Sequence, residues 1–406
     1  MNLLFPDTPD EELEDKNSAV KDCDGADTIG EPAEHQAAEA LPSEIVKTNA
    51  SVQLAKKLQP SKEVAGLLFI GDPHLEARVP GFRCDNYPEV VLNKLRWCLN
   101  YAKSNNLQPF LLGDVFQLPQ DNPNWLLAEI IDCIDEPLPA IYGNHDVREN
   151  FLKSNDSINV LFRSGHLKRI EETSVWVATV AGRRVIVGGS DWGNRLPKSL
   201  EANGNNPDLV VWMTHHDILI PGYEEGGRIR PKAIPGIDVI INGHIHRRLT
   251  TVVKENTHWF TPGNISRRSR SDASREHRPS VLVLRPPVAN LSLADVRSAS
   301  DDTADESRTD RLRLDLQNGQ QWLAEWITVP HKPFEEVFHQ QVQGDDQTTP
   351  GGSGFIADLK ELTARRTETG AGLMSYLQSH LQNYDEPVAA EVRRLAEEVI
   401  NGQTAK

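Results

Sequence analysis

No stretch of the 406 residues holds the roughly 20 consecutive apolar side chains that a membrane-crossing helix needs. The opening Met1-Asn2-Leu3-Leu4-Phe5-Pro6 lacks the basic region and long apolar core of a secretory signal. A cytoplasmic protein with no membrane partner is expected. Cysteine is scarce: Cys23, Cys84, Cys98 and Cys133 form no CxxC pair, which argues against a zinc ribbon and against a disulfide framework. Net positive charge is also missing. At a formal charge of -16 the chain cannot coat nucleic acid through its overall field, although a local basic groove stays compatible with that balance.

What is present divides along the chain. Residues 1–62 are rich in Asp, Glu, Ala, Pro and Ser, with few aromatics and no sustained apolar period, so an acidic disordered tail is expected. A short helix near Ser51–Lys57 fits within it, and Leu3-Leu4-Phe5 is an apolar cluster that could serve as a docking motif or be a chance grouping. From Gly66 the texture is that of an α/β domain. Short apolar runs at 66–70, 109–112, 140–142, 209–213 and 237–241 read as strands buried on both faces. Val90, Val91, Leu95, Leu99 and Ala102 recur at helical spacing within Tyr87–Ser104, predicting a crossover helix, and Trp125–Ile134 predicts a second. Residues 175–187 read as a β-hairpin turning at Ala181-Gly182-Arg183-Arg184.

This places a catalytic domain at 63–290, with a late strand at Val281–Leu284. A polar insertion or linker at 291–320 follows, then an edge strand and bridge at 321–342, and a linker with a helical accessory region at 343–406. Amphipathic helices are expected at 355–366, 371–382 and 386–401.

Each of the five buried runs ends directly in side chains able to bind a metal ion. In order these are Asp72 and His74, Asp114, Asn144 and His145, His215 and His216, and His244 and His246. In open α/β sheets ligands gather beyond the carboxyl ends of the strands, so scattered positions should converge on one rim. Gly71, Gly113, Gly143 and Gly243 lie just before these residues, where glycine permits a sharp exit from a strand. Mixed carboxylate, imidazole and amide donors suit Mn²⁺, Fe²⁺ or Zn²⁺ better than Ca²⁺ or Mg²⁺. Seven ligands with a carboxylate free to bridge fit two ions better than one. Such a pair lowers the pKa of a bridging water and clamps a phosphoryl centre during in-line attack.

Asp72-Pro73-His74, Gly113-Asp114, Gly143-Asn144-His145-Asp146, His215 and Gly243-His244-Ile245-His246 resemble, in order and spacing, the five motifs of the calcineurin-like metallophosphoesterase superfamily, over roughly 66–285. The resemblance implies a four-layer α-β-β-α sandwich. It implies that Asp72, His74 and His246 hold one ion, that Asn144, His215 and His244 hold the other, and that Asp114 bridges. His216 stays open as an alternative to His215. His145 is implied as the catalytic non-ligand that stabilises the transition state or protonates the leaving oxygen. Asp146 enters the catalytic set as an orienting carboxylate or, equally, as a loop cap.

The segment Pro262-Gly263-Asn264-Ile265-Ser266-Arg267 is similar to a turn of the SbcD-type DNA repair nucleases and their phage relatives, which work as dimers with an SMC-like ATPase. Val329–Phe338 is similar to their bridge out of the core. Arg247, Arg248, Arg267, Arg268 and Arg270 concentrate positive charge there, and guanidinium groups bind phosphates well. Trp259 and Phe260 read as strand or core residues rather than base-stacking ones. The expectation is a Mn²⁺-dependent DNA endo- or exonuclease, with DNA, an SMC-like ATPase and a second copy as partners. The alternative is a small-nucleotide phosphodiesterase or a phosphoprotein phosphatase. An intact ligand set argues against a non-catalytic scaffold.

Overall fold

The computed structural model describes residues 52–54, 62–171, 174–287, 296, 310–339, 389, 390, 392 and 394. The acidic tail through residue 51, Leu3-Leu4-Phe5, the 343–354 linker, the helices expected at 355–366 and 371–382, and most of that at 386–401 lie outside these residues.

The first sheet centres on β3 (Gly66–Ile70), beside which β4 (Leu107–Leu111), β5 (Leu138–Ala140) and β6 (Leu167–Arg169) run parallel in that order. On the other side of β3 lie antiparallel β14 (Ser280–Arg285), β16 (Gln321–Thr328) and β15 (Arg311–Asp315). The second sheet orders β12 (Val252–Lys254), β13 (Thr257–Phe260), β11 (Val239–Asn242), β10 (Leu209–Thr214), β8 (Arg183–Ser190), β7 (Trp176–Val180) and β2 (Glu63–Val64). Strands β8, β10, β11 and β13 are mutually parallel.

Period-two alternation decides what lies between the layers. In β3, Leu67 and Phe69 join Phe110, Val187, Val211, Met213 and Ile241 in the core between the sheets, while Leu68 and Ile70 face the helices. Each such side chain, fully buried, contributes roughly 1.5–3 kcal/mol. The helix α1 (Tyr87–Ser104) starts where expected, with Pro88 in its first turn, and buries Val91, Leu92, Leu95, Cys98 and Ala102. It packs with α2 (Asn124–Cys133) and α3 (Ser157–Arg163) on the outer face of the first sheet.

The two packed sheets with helices on the first make the expected α/β sandwich. Among the described residues, loop side chains Ile218, Ile220, Ile234 and Ile237 cover the outer face of the second sheet, not a helix. The hairpin β7–β8 turns on Ala181 and Gly182, both left-handed (φ 47° and 78°), as a two-residue turn matching strand twist requires.

Three expectations change. Val52–Gln53 forms a strand, β1, parallel to β9 (Leu200–Glu201), in place of the helix near Ser51–Lys57. Residues 311–315, expected within a polar insertion, form β15, because Leu312 and Leu314 alternate inward between Arg311, Arg313 and Asp315. That makes β15 the edge and puts 321–328 inside the sheet, so the core extends past residue 290. The described cysteines, Cys84, Cys98 and Cys133, are free thiols. No described helix is long and apolar enough to cross a membrane.

Candidate metal centre

The five strand ends do converge, but from two sheets. Asp72, His74, Asp114 and Asn144 follow β3, β4 and β5 of the first sheet, and His215, His244 and His246 follow β10 and β11 of the second. Backbone hydrogen bonds fix the exits: His74 N donates to Asp114 O (2.9 Å), Leu75 N to Val115 O (2.8 Å) and Gly243 N to Thr214 O (2.9 Å). Asp72, His74, Asp114 and His244 themselves take left-handed backbone conformations (φ 35°, 49°, 47° and 69°), which non-glycine residues hold only when their surroundings enforce it.

The glycines serve another purpose than the one expected of them. Only Gly113 is left-handed (φ 96°). A Cβ on Gly71 would collide with Gly263 O, one on Gly143 with the Asp114 carboxylate and the His215 ring, and one on Gly243 with Leu112 O at 2.5 Å and Asp72 Oδ1 at 2.8 Å. They are small so that the strand ends can touch.

Three overlapping donor groups result: Asp72, His74 and His246; His74, Asp114 and His145; and Asp114, His215 and His244. Within each, the donor atoms lie within 4.8 Å of one another. His74 Nε2 and His246 Nε2 are 2.8 Å apart, and His215 Nε2 is 3.1 Å from Asp114 Oδ2. Asn144 Oδ1 lies 3.1 Å from His215 Nε2 and 2.9 Å from His244 Nδ1, adding a fourth donor to the third group. The donors fit divalent cations by a specific test. Both Asp72 carboxylate oxygens, Asp114 Oδ2 and His74 Nδ1 are buried without a hydrogen bond of ordinary geometry, a cost a protein interior rarely carries unless something else satisfies them.

Charge tells the same story. Burial drives the Asp72 carboxyl well above the usual range, with His215 opposing and the Asp114 and Asp146 charges adding to the rise. Burial also works against Asp114, but the adjoining His215, His145 and His74 outweigh it and hold it well below. His215, although burial works against its charge, is raised to about 10 by Asp114 and then Asp72. Desolvation takes His246 down to about 3 and His74 well below the normal imidazole range, leaving both as neutral donors. Among these buried carboxylates it is His215 whose positive charge is favoured.

Neighbouring groups aim the rings. His215 Nδ1–H donates to Leu112 O (2.8 Å), turning Nε2 toward Asp114 and Asn144. His216 is turned away: its Nδ1 meets Thr214 Oγ1 and its Nε2 lies 2.6 Å from Asn194 O, which leaves the ligand position to His215. His244 Nε2–H donates to Asp217 Oδ1 (2.7 Å), freeing Nδ1 for the centre. Asp217 was not singled out in the sequence, although a carboxylate immediately after Thr214-His215-His216 was a usable signal. Burial would raise its pKa, but the hydrogen bond and charge of His244, with Arg228, bring it below the ordinary value. Asp217→Ala is expected to weaken divalent-metal affinity about 10- to 100-fold, measured by competition with a chelating dye. Asp217→Asn, which can accept but carries no charge, should fall between.

His145 Nδ1–H donates to Gln117 O (3.0 Å), with Gln117 Nε2 at 3.2 Å. Its backbone N–H donates to Asp114 Oδ1 (2.8 Å), and its ring sits edge-on to His74 with centroids 4.9 Å apart. No local pattern in the sequence marks Gln117. Asp146 resolves toward the loop-cap alternative: Oδ1 accepts from Phe116 N (3.0 Å) and Oδ2 from Gly143 N (2.9 Å), clamping the exits of β4 and β5. Burial, then the Asp114 charge, raises it to about 7 against those hydrogen bonds. It touches no open face of the centre and is a positioning residue. A sixth strand end, that of β8, adds Trp192, whose ring stacks on His244 (centroids 5.3 Å apart, planes at 27°).

The arginines separate. Arg267, expected at a nucleic-acid contact, is buried and donates to the carbonyls of His277 (2.9 Å) and Lys332 (3.0 Å), which braces the turn. The turn that carries it packs Gly263 against Gly71, while Asn264 N donates to His246 O (3.1 Å). Arg268 is half-buried, paired with Glu76 at 3.0 Å, and with Arg247 lines a cleft of about 320 Å³ that His246 adjoins. Arg248 lies over the Trp326 ring at 3.7 Å and 3.4 Å from Asp310. Arg270 is half-exposed. Trp259 and Phe260 are buried in β13, as expected of strand residues.

Residues 66–248 match the calcineurin-like phosphoesterase family. Solved structures that match the chain include a hypothetical protein from Thermus thermophilus, 10% identical, covering 65% of this chain and 100% of that one with a TM-score of 0.34. Another is a conserved uncharacterized protein, a predicted phosphoesterase, from Streptococcus pneumoniae, 9% identical, covering 67% and 93% with a TM-score of 0.26. Chaetomium thermophilum Vps29 is 14% identical, covering 66% and 98% with a TM-score of 0.25. No curated protein matches the chain.

Proposed function

We propose that this chain, which carries a calcineurin-like phosphoesterase domain, is a metal-dependent DNA phosphodiesterase of the SbcD-like kind, endo- or exonucleolytic, with Mn²⁺ the first candidate metal. The observation that carries the reading is the set of buried, unpartnered Asp72, Asp114 and His74 atoms brought together with four further nitrogen and amide donors from five strand ends. Asp72, His74 and His246 would hold one ion and Asn144, His215 and His244 the other, with Asp114 between. Bound there, such a pair supplies Lewis acidity and an activated water for in-line attack.

The remaining steps belong to the chain's own side chains. His145, held through Nδ1 by Gln117, presents Nε2 as the proton donor to the departing sugar oxygen. Arg268, oriented by Glu76 and beside His246, is placed to bind a non-bridging phosphate oxygen. Arg247, Arg248 and Arg270 extend that positive surface, and this favours a polyanionic substrate over a small ester. An SMC-like ATPase, or a second copy of this chain, as working partner belongs to the same reading.

Purified protein assayed with Mn²⁺, Fe²⁺, Zn²⁺ or Mg²⁺ on single- and double-stranded DNA, cyclic nucleotides, a phosphopeptide and p-nitrophenyl esters tests it. Preference for DNA supports the nuclease reading, and preference for the small esters or the phosphopeptide replaces it. Arg268→Ala should lower kcat/KM on an oligonucleotide about tenfold and reduce the salt dependence of DNA binding by about one charge. An unchanged salt slope would remove Arg268 from the phosphate contacts.

A further inference from the structure

A second cleft, of about 460 Å³, opens between α1 and the segment that follows β16, and none of its lining residues belongs to the candidate metal centre. Its walls are apolar, with Val90 and Trp97 from α1 facing Pro330 and Val337. Its charged lining is cationic: Lys94, Arg83, Arg267 and Lys332, against the single carboxylate of Asp85.

That carboxylate is already used. Arg83 grips Asp85 in a two-point pair at 2.8 and 2.7 Å and donates its other terminal nitrogen to Arg267 O. Arg267 spends its hydrogen bonds on two backbone carbonyls. Lys94 is only 8% exposed, and among the described residues its ammonium makes one hydrogen bond, to Ile265 O at 3.0 Å, out of the three it can donate. Among the described residues these two buried cations are thus solvated by carbonyl dipoles and form no ion pair, the charges of Asp85 and Glu335 reaching Lys94 and Arg267 only from beyond contact, an arrangement that is unfavourable by itself and that a bound anion relieves. Consistent with this, burial first, and then the Arg83 and Arg267 charges, pull Lys94 down to about 7.

We propose that this cleft is an anion-binding site separate from the metal centre, taking an oxyanion borne on an apolar or aromatic group. The oxyanion would sit on Lys94 Nζ, with the Arg267 and Lys332 charges behind it, and the apolar part against Trp97 and Pro330. Phosphate and carboxylate share this chemistry, and the choice of probes separates them.

The test is acetylation of the full-length protein by acetic anhydride at pH 7, read at each lysine by mass spectrometry, with phenylphosphonate, benzoate or inorganic phosphate added. Lys94 should react in the free protein and be protected saturably, about fivefold when the probe stands at four times its Kd, while exposed Lys103 is unchanged. Protection by phenylphosphonate and inorganic phosphate but not by benzoate assigns a phosphate site, and protection by benzoate a site that also takes carboxylates. Lys94→Met should abolish the rise in Tm that phenylphosphonate gives the native chain, and Trp97→Ala should weaken phenylphosphonate while sparing inorganic phosphate. A Lys94 that does not react, or that reacts equally with every probe present, overturns the proposal. So does a Lys94→Met protein that keeps the full shift. If Lys94→Met does not fold, the acetylation pattern decides alone.

Discussion

His145→Ala is expected to lower the cleavage rate of a DNA phosphodiester by about 10²- to 10⁴-fold, the range that loss of a positioned proton donor produces, while bound metal stays at its native level. The two readouts separate because of how the ring is held. Its Nδ1 is taken by Gln117 O, and the donors of the two proposed ion sites are complete without it: Asp72, His74 and His246 on one side, Asn144, His215 and His244 on the other, and Asp114 between. The role is sharpened by changing the leaving group. A sugar alkoxide needs a proton as it departs and p-nitrophenolate does not, so the loss should be far smaller on a p-nitrophenyl phosphodiester than on DNA. Equal losses on both would mean that His145 stabilises the phosphoryl centre and protonates nothing. Loss of metal together with activity would make it a ligand. Gln117→Ala should reproduce the pattern only weakly, since it removes the Nε2 contact at 3.2 Å and leaves the backbone carbonyl that accepts from Nδ1.

Asp114→Ala is expected to abolish both metal binding and turnover, and in addition to destabilise the metal-free protein. Asp114 Oδ2 is 3.1 Å from His215 Nε2 and 3.6 Å from His74 Nε2, and its other oxygen accepts the His145 backbone N–H at 2.8 Å, so one carboxylate joins its own strand end to three of the other four. In the metal-free chain it is the main partner of a buried imidazolium. Removing one member of a buried pair strands the other and costs about 3–5 kcal/mol. The low end applies here, because Asp72 lies 3.7 Å from His215 Nδ1 and remains beside the imidazole when Asp114 is removed. The pH dependence follows from the His215 shift, from 6.5 upward to about 10. A histidine raised on folding contributes stability that is complete below 6.5 and is lost as the pH rises through about 10. The native and Asp114→Ala proteins, both stripped of metal, should therefore differ most near pH 6 and converge toward pH 10 in urea unfolding. A difference independent of pH would mean that packing, not the ion pair, carries the cost.

Much of this centre was legible in the chain. Five apolar runs, each followed by a side chain able to bind a metal, pointed to Asp72, His74, Asp114, Asn144, His215, His244 and His246, and the structure brings all seven together. The crossover helix was readable at Tyr87–Ser104 because Val91, Leu95 and Ala102 recur at helical spacing and share a face. β15 was not recognised: Arg and Asp dominate its composition, and only the inward alternation of Leu312 and Leu314 betrays a strand. The basic turn misled in part. Composition says that Arg267 is charged, but not that its charge is spent on the carbonyls of His277 and Lys332.

The sequence alone determined which donors exist and that each stands where a buried strand ends, because hydrophobic periodicity and residue chemistry are local properties. Tertiary structure decided the rest. It placed β3, β4 and β5 in one sheet and β10 and β11 in another, so that the centre forms where two sheet ends meet. It made Gly71, Gly143 and Gly243 necessary for close approach, and it passed the left-handed strain to Asp72, His74, Asp114 and His244. It also chose His215 over His216, through partners more than 20 residues away: Leu112 O turns one ring inward and Asn194 O holds the other out. Ring orientation, burial and unpaired charge depend on which distant backbone arrives beside a residue, and no local pattern carries that information.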